Sequence, residues 1–169
     1  MILSMRTLNR KSEIASRIVA DPLVTVAKLA QMQSKLIRLK AVRPEAAAEV
    51  SRLAQLGDFS ENAEYQAAKG RLRGINSGIT SLENQLNHAV IITPQKQTDT
   101  VQIGHTVTVA AGDTQKIYQL LGSAETNPGR GIISHNSPIG AALVGCRVGD
   151  AVKIKLADKT VEYRIIKIA

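Results

Sequence analysis

A repeating spacing of apolar residues in the middle of the chain constrains the fold more than any other feature. Between Tyr65 and Leu86 the apolar positions alternate steps of three and four residues. They are Tyr65, Ala68, Leu72, Ile75, Ile79, Leu82 and Leu86. This pattern is typical of the seam of a coiled coil, in which one narrow apolar stripe packs against a partner helix. The stripe leaves out Gly70, Gly74 and Gly78, which each cost on the order of 1 kcal/mol of helix propensity relative to Ala.

The partner helix is predicted upstream, where Leu29, Met32, Leu36 and Leu39 repeat the same spacing. Ala47, Val50, Ala54 and Leu56 are expected to continue this apolar face, and Pro44 either begins a helical stretch or bends one. Gly57 then ends the helix. The simplest geometry is an antiparallel hairpin with helices at about 24–56 and 61–87 and a turn at 57–60. An arm of about 27 residues would reach roughly 40 Å.

A different pattern begins after Pro94, where short alternating segments are separated by Gly, Asp, Asn and Pro. Strands are expected within 105–111, 116–122, 131–136, 151–157 and 160–168, with one short helix at 140–145. The fold class is therefore α+β: a helical hairpin followed by a small β-rich domain. The predicted divisions are an N-terminal extension (1–22), the hairpin (23–92) and the β-rich domain (97–169), joined by a polar linker.

The net charge is +8 and the pI about 9.9, which suits a protein that works near a polyanion. Residues 1–89 hold 13 basic and 8 acidic residues, and residues 90–169 hold 9 and 6. The excess is therefore not confined to the arm, which weakens an argument for RNA binding there. Three Tyr, one Phe and no Trp argue against recognition of single strands by base stacking.

Cysteine and histidine usage excludes several kinds of site. The single cysteine, Cys146, rules out an intramolecular disulfide and a Cys-only zinc site, and a structural role is expected for it. His88, His105 and His135 are scattered without ligand spacing and are expected at the surface or in turns. The chain has neither a membrane-length apolar run nor a secretory signal pattern, so the expected location is cytoplasmic.

Three motifs carry a resemblance to a known family. GDFSENAEYQAAK (57–69) resembles the signature of the bacterial Gre transcript-cleavage factors, and RPE (43–45) stands upstream at a similar spacing. ISHNSPIGAALVGCRVGDAV (133–152) is similar to the C-terminal motif of the family. The resemblance covers about 24–169.

The resemblance implies a coiled coil followed by a domain similar to FKBP-type prolyl isomerases but without their activity. In the family, the globular domain docks on the rim of the secondary channel of RNA polymerase, and the coiled coil carries an acidic tip to the active centre. The polymerase itself then cuts backtracked RNA, so the protein is expected to be a cofactor of an enzyme and not an enzyme. The expected partners are core polymerase and the 3′ end of the nascent RNA, with no membrane partner, and the protein is expected to be a monomer.

The motif places Asp58 and Glu61 in the catalytic role. Polymerase active sites hydrolyse RNA with two Mg²⁺ ions about 4 Å apart, and two carboxylates at the tip would help to hold the weakly bound ion and orient the attacking water. Two acids do not complete a Mg²⁺ site, so the isolated protein is expected to bind no cofactor and to share Mg²⁺ with the polymerase. Their spacing alone favours capping of the second helix, and both roles are compatible.

The neighbours of the two acids are expected to have supporting roles. Tip support is expected from Phe59, Ser60, Asn62, Glu64 and Tyr65, although Tyr65 also fits the seam. Contacts with RNA phosphates are expected from Arg52, Lys69, Arg71 and Arg73, of which Lys69 lies inside the motif. The competing interpretation of these basic residues is an ordinary solvated helix face.

Ser137, Pro138 and Ile139 resemble the segment by which the family contacts the polymerase. Ser137 as N-cap and Pro138 at the first helical position would also begin a helix, and both roles can hold. The family commonly has a basic residue at the position of Ala141, and Lys or Arg at that of Cys146. These two departures from the family pattern affect the expected strength of docking on the polymerase.

Two alternatives remain. A Gre-like regulator would enter the same channel and block it, although the retained Asp58 and Glu61 count against this. An unrelated interaction module with a coiled-coil arm and a β-rich head would explain the helices and strands but not the paired motifs.

Overall fold

The computed structural model describes residues 21–55, 63–93, 97–155 and 160–169. Its N-terminal half contains two long helices, α1 (Val26–Ala54) and α2 (Ala63–His88). The two helices run antiparallel, since Lys40 pairs with Glu83 and Glu49 pairs with Arg71, each at 2.7 Å. Pro44 lies inside α1, which continues past it. With 29 residues, α1 is roughly 43 Å long.

The predicted seam of α2 is confirmed. Ala68, Ile79 and Leu82 are buried, and the other four seam residues are half-buried. The predicted continuation of the α1 seam is partly right: Val50 and Ala54 are half-buried, but Ala47 is exposed, and buried Leu53 was not predicted. Continuing the alternating steps beyond Leu39 leads to 43, 46, 50 and 53, of which Arg43 is exposed and the other three are half-buried or buried. The predicted seam position Leu56 lies outside the described residues.

The three glycines of α2 differ in their surroundings. A Cβ at Gly70 or Gly74 would meet no atom within 4 Å, as expected for positions off the stripe. A Cβ at Gly78 would lie 3.1 Å from Cδ1 of Leu39, so this glycine faces the partner helix, contrary to the prediction. The closer packing at Gly78 explains why a small residue suits that position.

Gly74→Ala is expected to stabilise the arm by about 1 kcal/mol, because alanine has the higher helix propensity and the site is open. Urea denaturation followed by circular dichroism measures the difference. Gly78→Ala is the matched control and should gain less, since the new methyl group must displace Leu39. An equal gain from both substitutions would show that the contact with Leu39 is unimportant.

Two short strands close the base of the arm, and the sequence patterns did not predict them. β1 (Leu23–Val24) pairs in parallel with β2 (Val90–Ile91). The N–H of Val90 donates to the carbonyl of Pro22 at 2.7 Å, and that of Ile92 donates to the carbonyl of Val24 at 2.8 Å. These bonds join the segment that enters α1 to the segment that leaves α2.

The C-terminal half is a curled mixed sheet of five strands: β3 (Thr106–Ala111), β4 (Thr114–Leu121), β5 (Ile132–Ser134), β6 (Ala151–Lys155) and β7 (Thr160–Ile168). The strand order is β5-β4-β3-β7-β6, with β4 and β5 parallel and the other neighbours antiparallel. α3 (Pro138–Leu143) lies close to the helix predicted at 140–145. Two 3₁₀ helices, Ser123–Glu125 and Pro128–Arg130, connect β4 to β5.

The core of this domain is largely aliphatic, as the composition requires. Its fully buried side chains are Val101, Val107, Val109, Leu120, Leu143 and Ile165. Tyr118 and Tyr163 contact each other edge to face, with ring centroids 6.4 Å apart. The Cys146 thiol donates to the carbonyl of Ala142, and burial, together with Asp150, raises its pKa. Both observations fit a structural cysteine.

The predicted positions of the histidines are only partly right. His88 is exposed, and its Nδ1 lies 2.7 Å from the carbonyl oxygen of Asn84. His105 ends a turn but is buried, with 2% of its surface exposed, and its Nδ1 accepts from the N–H of Gln102. Half-buried His135 approaches Asp21, with Nδ1 3.5 Å from Oδ2.

Asp21 joins the base of the arm to the β-rich domain. Its Oδ2 accepts from the N–H of Ser123 at 2.7 Å and from the Ser123 hydroxyl at 2.9 Å, and its Oδ1 accepts from the N–H of Leu23. Burial alone would raise the pKa of this carboxyl group. The hydrogen bonds from Ser123 and Leu23, together with His135, outweigh burial and hold the pKa below its usual value.

This lowered pKa predicts a pH dependence. A carboxylate whose pKa is lower in the folded protein stabilises it above the unfolded pKa, and the contribution is lost as pH falls through the folded value. Asp21→Asn is therefore expected to lower the melting temperature at pH 7 and to have a smaller effect below about pH 4. Thermal unfolding of both proteins across this range measures it; a difference independent of pH would contradict the assignment.

Candidate functional site

The predicted acidic pair, Asp58 and Glu61, lies outside the described residues, as do Phe59, Ser60 and Asn62. The structure does describe the helix ends on either side. α1 ends at Ala54 and α2 begins at Ala63, and the seam remains closed close to both ends. Leu53 is 3% exposed and Ala68 is 1% exposed. Because the helices are antiparallel, these two ends belong to the end of the arm that is remote from β1 and β2.

The first turns of α2 hold three further residues of the motif. Glu64 is exposed in the first turn, where a carboxylate interacts favourably with the helix dipole. Tyr65 is half-buried, which agrees with its place in the seam. The ammonium of Lys69 lies 5.8 Å from the centroid of the Tyr65 ring, a cation–π distance. This contact places a positive charge about 9 Å along the helix from its start.

The four predicted RNA-contacting residues are all exposed, but their charges are not equally available. Arg71 pairs with Glu49 across the arm, whereas Arg52 lies in the last turn of α1 and Arg73 lies further along α2. An exposed ion pair contributes only about 0–1 kcal/mol, so a phosphate can compete with Glu49 for Arg71. The arrangement therefore offers basic side chains on both helices near the distal end of the arm.

The predicted docking segment begins α3, and its three residues differ in exposure. Ser137 is the N-cap: its hydroxyl accepts from the N–H of Gly140 at 3.1 Å and donates to the carbonyl of Ser134 at 2.6 Å. Ile139 packs against the domain core, and Pro138 is exposed at the first turn. The helix-initiating role is thus present, and Pro138 is the member of the segment that is available to a partner.

Gly140 explains why this segment is compact. A Cβ at this position would lie 2.0 Å from the carbonyl oxygen of Ser134, so α3 approaches the end of β5 too closely for any other residue. Exposed Ala141 follows on the same short helix. The neutral side chain at 141 therefore lies on the surface.

Within 21–55, 63–93, 97–155 and 160–169, no group of three or more His, Cys, Asp or Glu residues is arranged to hold a metal ion. In the same part of the chain, no helix is both long and apolar enough to cross a membrane.

A long antiparallel hairpin joined to a curled mixed sheet defines a two-domain protein with a projecting arm, and comparison with known proteins identifies its family. The family model for the N-terminal domain of transcription elongation factors matches residues 22–91. The C-terminal GreA/GreB transcription elongation factor model matches residues 96–169. The chain therefore belongs to the GreA/GreB family of transcription elongation factors. This membership excludes the unrelated interaction module.

Individual relatives agree with the family models. Transcription elongation factor GreA of Macrococcus caseolyticus is 40% identical over 143 residues, which cover 82% of this chain and 90% of the relative. The GreA of Acetivibrio thermocellus is 36% identical over 152 residues, which cover 88% and 96%. Among solved structures, GreA factor homolog 1 of Thermus thermophilus is 27% identical, with a TM-score of 0.40 and coverage of 86% and 97%.

Proposed function

We propose that this protein binds RNA polymerase through its β-rich domain, inserts its helical arm into the secondary channel, and stimulates the polymerase to cleave backtracked RNA. The observation that carries the proposal is the antiparallel arm, whose two helices are connected by the segment that contains Asp58 and Glu61. Membership of the GreA/GreB elongation factor family supports the same function.

The length of the arm suits delivery of a chemical group over a distance. α1 alone spans roughly 43 Å, and the hairpin buries only a narrow seam for that length. The ion pairs Lys40–Glu83 and Glu49–Arg71 lie on its exposed surface. A thin arm with a polar surface is suited to a water-filled channel, and its reach is the property that a compact domain lacks.

The chemistry assigned to the tip is assistance to the polymerase's own metal site. A second Mg²⁺ needs several oxygen ligands and gives up its waters reluctantly, so two added carboxylates would raise its occupancy and orient a water for attack. Lys69, Arg52 and Arg73 would hold the extruded RNA through phosphate contacts that do not depend on sequence. The factor supplies ligands and orientation, and the polymerase supplies the remaining metal site.

The experiment that tests this function is a transcript-cleavage assay. Wild-type protein is added to a backtracked elongation complex assembled with the cognate core polymerase and 3′-labelled RNA. Release of short 3′ fragments at an increased rate is the expected result. Binding to the complex without increased cleavage would instead identify a regulator that occupies the channel, and absence of binding would contradict polymerase as the partner.

A further inference from the structure

The N-terminus of α1 is held by a residue of the β-rich domain. Glu125, in the 3₁₀ helix Ser123–Glu125, accepts from the N–H of Thr25 at 2.6 Å and from the Thr25 hydroxyl at 2.7 Å, using one carboxylate oxygen for each bond. Thr25 is itself the N-cap of α1, because its hydroxyl oxygen accepts from the N–H of Lys28 at 3.1 Å. One carboxylate of the β-rich domain thus fixes the first turn of the arm.

The electrostatics of this contact are favourable. A carboxylate beside a helix N-terminus interacts with the positive end of the helix dipole, and hydrogen bonds to a charged acceptor are shorter and stronger than neutral ones. The two residues are separated by 100 positions in the sequence. The contact therefore fixes the relative placement of two distant parts of the chain.

Gly122 brings the two parts into direct backbone contact. A Cβ at this position would lie 1.8 Å from the carbonyl oxygen of Leu23. The backbone of Gly122 has φ −71° and ψ 161°, which any residue adopts, so glycine is required here for close approach and not for its conformation. Substitution by alanine would separate the segments without straining the local backbone.

The contacts of Asp21 with Ser123 complete the joint, which we define as Asp21, Leu23 and Thr25 on one side and Gly122, Ser123 and Glu125 on the other. A contact with the sheet also holds Ser123, since its hydroxyl lies 2.9 Å from the hydroxyl of buried Ser134 in β5. The joint thus connects the start of α1 to the end of β5 through hydrogen bonds on both sides of one close backbone contact.

We propose that this joint holds the arm in one orientation relative to the β-rich domain, and that Glu125 is a positioning residue for the arm tip. The reason is geometric: a small rotation at the base of an arm roughly 43 Å long displaces its far end by many ångströms. The effect on cleavage rests on the proposed function, whereas the orientation itself is measurable on the free protein.

The orientation is tested by electron–electron distance measurements between spin labels. Labels are attached at Gln33→Cys, near the base of α1, and at Lys116→Cys, on β4, in a Cys146→Ser background; both labelled positions are exposed. A single narrow distance distribution is expected for this parent protein. Glu125→Ala and Gly122→Ala should broaden or shift it, while Thr25→Ser, which retains the hydroxyl, should preserve it.

The matched control is Glu83→Ala, which removes a carboxylate from the arm outside the joint and should leave the distribution unchanged. Circular dichroism verifies that each variant retains its helices. Unchanged distributions for both Glu125→Ala and Gly122→Ala would overturn the joint as the determinant of orientation.

The positioning role is tested by varying the concentration of factor in the cleavage assay. Glu125→Ala is expected to lower the maximal cleavage rate about tenfold, because misplacement of a catalytic group by even 1 Å is costly. The concentration that gives half the maximal rate should change less than about threefold, since docking is retained. A broadened distance distribution with an unchanged maximal rate would overturn the positioning role. If wild-type protein stimulates no cleavage, the proposed function and the positioning role of Glu125 both fail. The distance measurement still shows whether the joint fixes the orientation of the arm.

Discussion

Replacing both Asp58 and Glu61 with alanine is expected to reduce factor-stimulated cleavage by about a hundredfold or more, while binding to the polymerase persists. The reason is that, under the proposed function, the two carboxylates would supply ligands to a weakly held Mg²⁺, and the loss of one preorganised group at a reacting centre typically costs a factor of 10² to 10³. Single-turnover release of 3′-labelled fragments from a backtracked complex measures the rate. Competition with labelled wild-type factor measures binding.

Two further variants make the result specific to the tip acids. Asp58→Asn with Glu61→Gln keeps the size of both side chains and their capacity to accept a hydrogen bond, and it should lose cleavage almost as completely. Glu83→Ala removes an acid at the other end of the arm and should retain the wild-type rate. Cleavage by the double alanine variant at more than a third of the wild-type rate would contradict the catalytic assignment.

Shortening the arm by one heptad in each helix is the second change with a large expected effect. Deleting 41–47 from α1 and 74–80 from α2 removes two facing segments, since Glu83 pairs with Lys40 on one side of them and Arg71 pairs with Glu49 on the other. The seam keeps its phase because seven residues are removed from each helix. The arm becomes about 10 Å shorter, so the tip should not reach the active centre and cleavage should fall to the factor-free rate.

Binding separates loss of reach from loss of folding in this experiment. The β-rich domain is unchanged, so the shortened protein should still bind polymerase, and circular dichroism should show a helical hairpin. Gly74→Ala, which keeps the full length of the arm, should cleave at the wild-type rate. A folded, polymerase-bound short arm that cleaves normally would show that reach is not the purpose of the hairpin.

The sequence predicted the elements whose signal is local and repeated. The seam of α2 follows from seven apolar residues at regular spacing, and the β-strands follow from alternating segments separated by turns. The wrong prediction at Ala47 in α1 also has a local cause. The segment PEAAAEV offers several alanines on adjacent faces, so composition alone does not distinguish Ala47, which is exposed, from the neighbouring seam positions. The alternating steps of three and four residues, continued from Leu39, lead to buried Leu53 and were the signal that could have placed this part of the seam.

The joint could not be predicted because its contacts are not local. Thr25 caps α1 in the folded protein, but nothing near it in the sequence indicates that Glu125 binds it. Gly122 follows a strand and resembles an ordinary turn glycine, although its role is close approach to Leu23. Two-residue strands such as β1 and β2 are likewise too short to produce a periodic pattern. The arrangement of the two domains emerges only when the whole chain is folded.

Among the candidate functional residues, the sequence likewise predicted local roles but not contacts between distant residues. Spacing correctly assigned Ser137 as a helix cap, because an N-cap acts on the residues directly after it. It did not reveal that Ile139 turns into the core, which leaves Pro138 as the exposed member of the segment. It also gave no indication that Glu49 pairs with Arg71, because the two residues meet only across the hairpin. The roles of Asp58 and Glu61 remain predictions from the motif.

The most direct test of the central claim is to locate the tip of the arm in the bound complex. An iron chelate is attached at Ser60→Cys, between the two acids, in a Cys146→Ser background, and hydroxyl radicals cut nearby RNA and protein. Ser34→Cys, at an exposed position near the base of α1, is the matched control. We expect cuts at the RNA 3′ end and in the polymerase active centre from position 60 and none there from position 34. Failure of the position 60 conjugate to cut at the active centre while bound to the polymerase would contradict delivery of the acids by the arm.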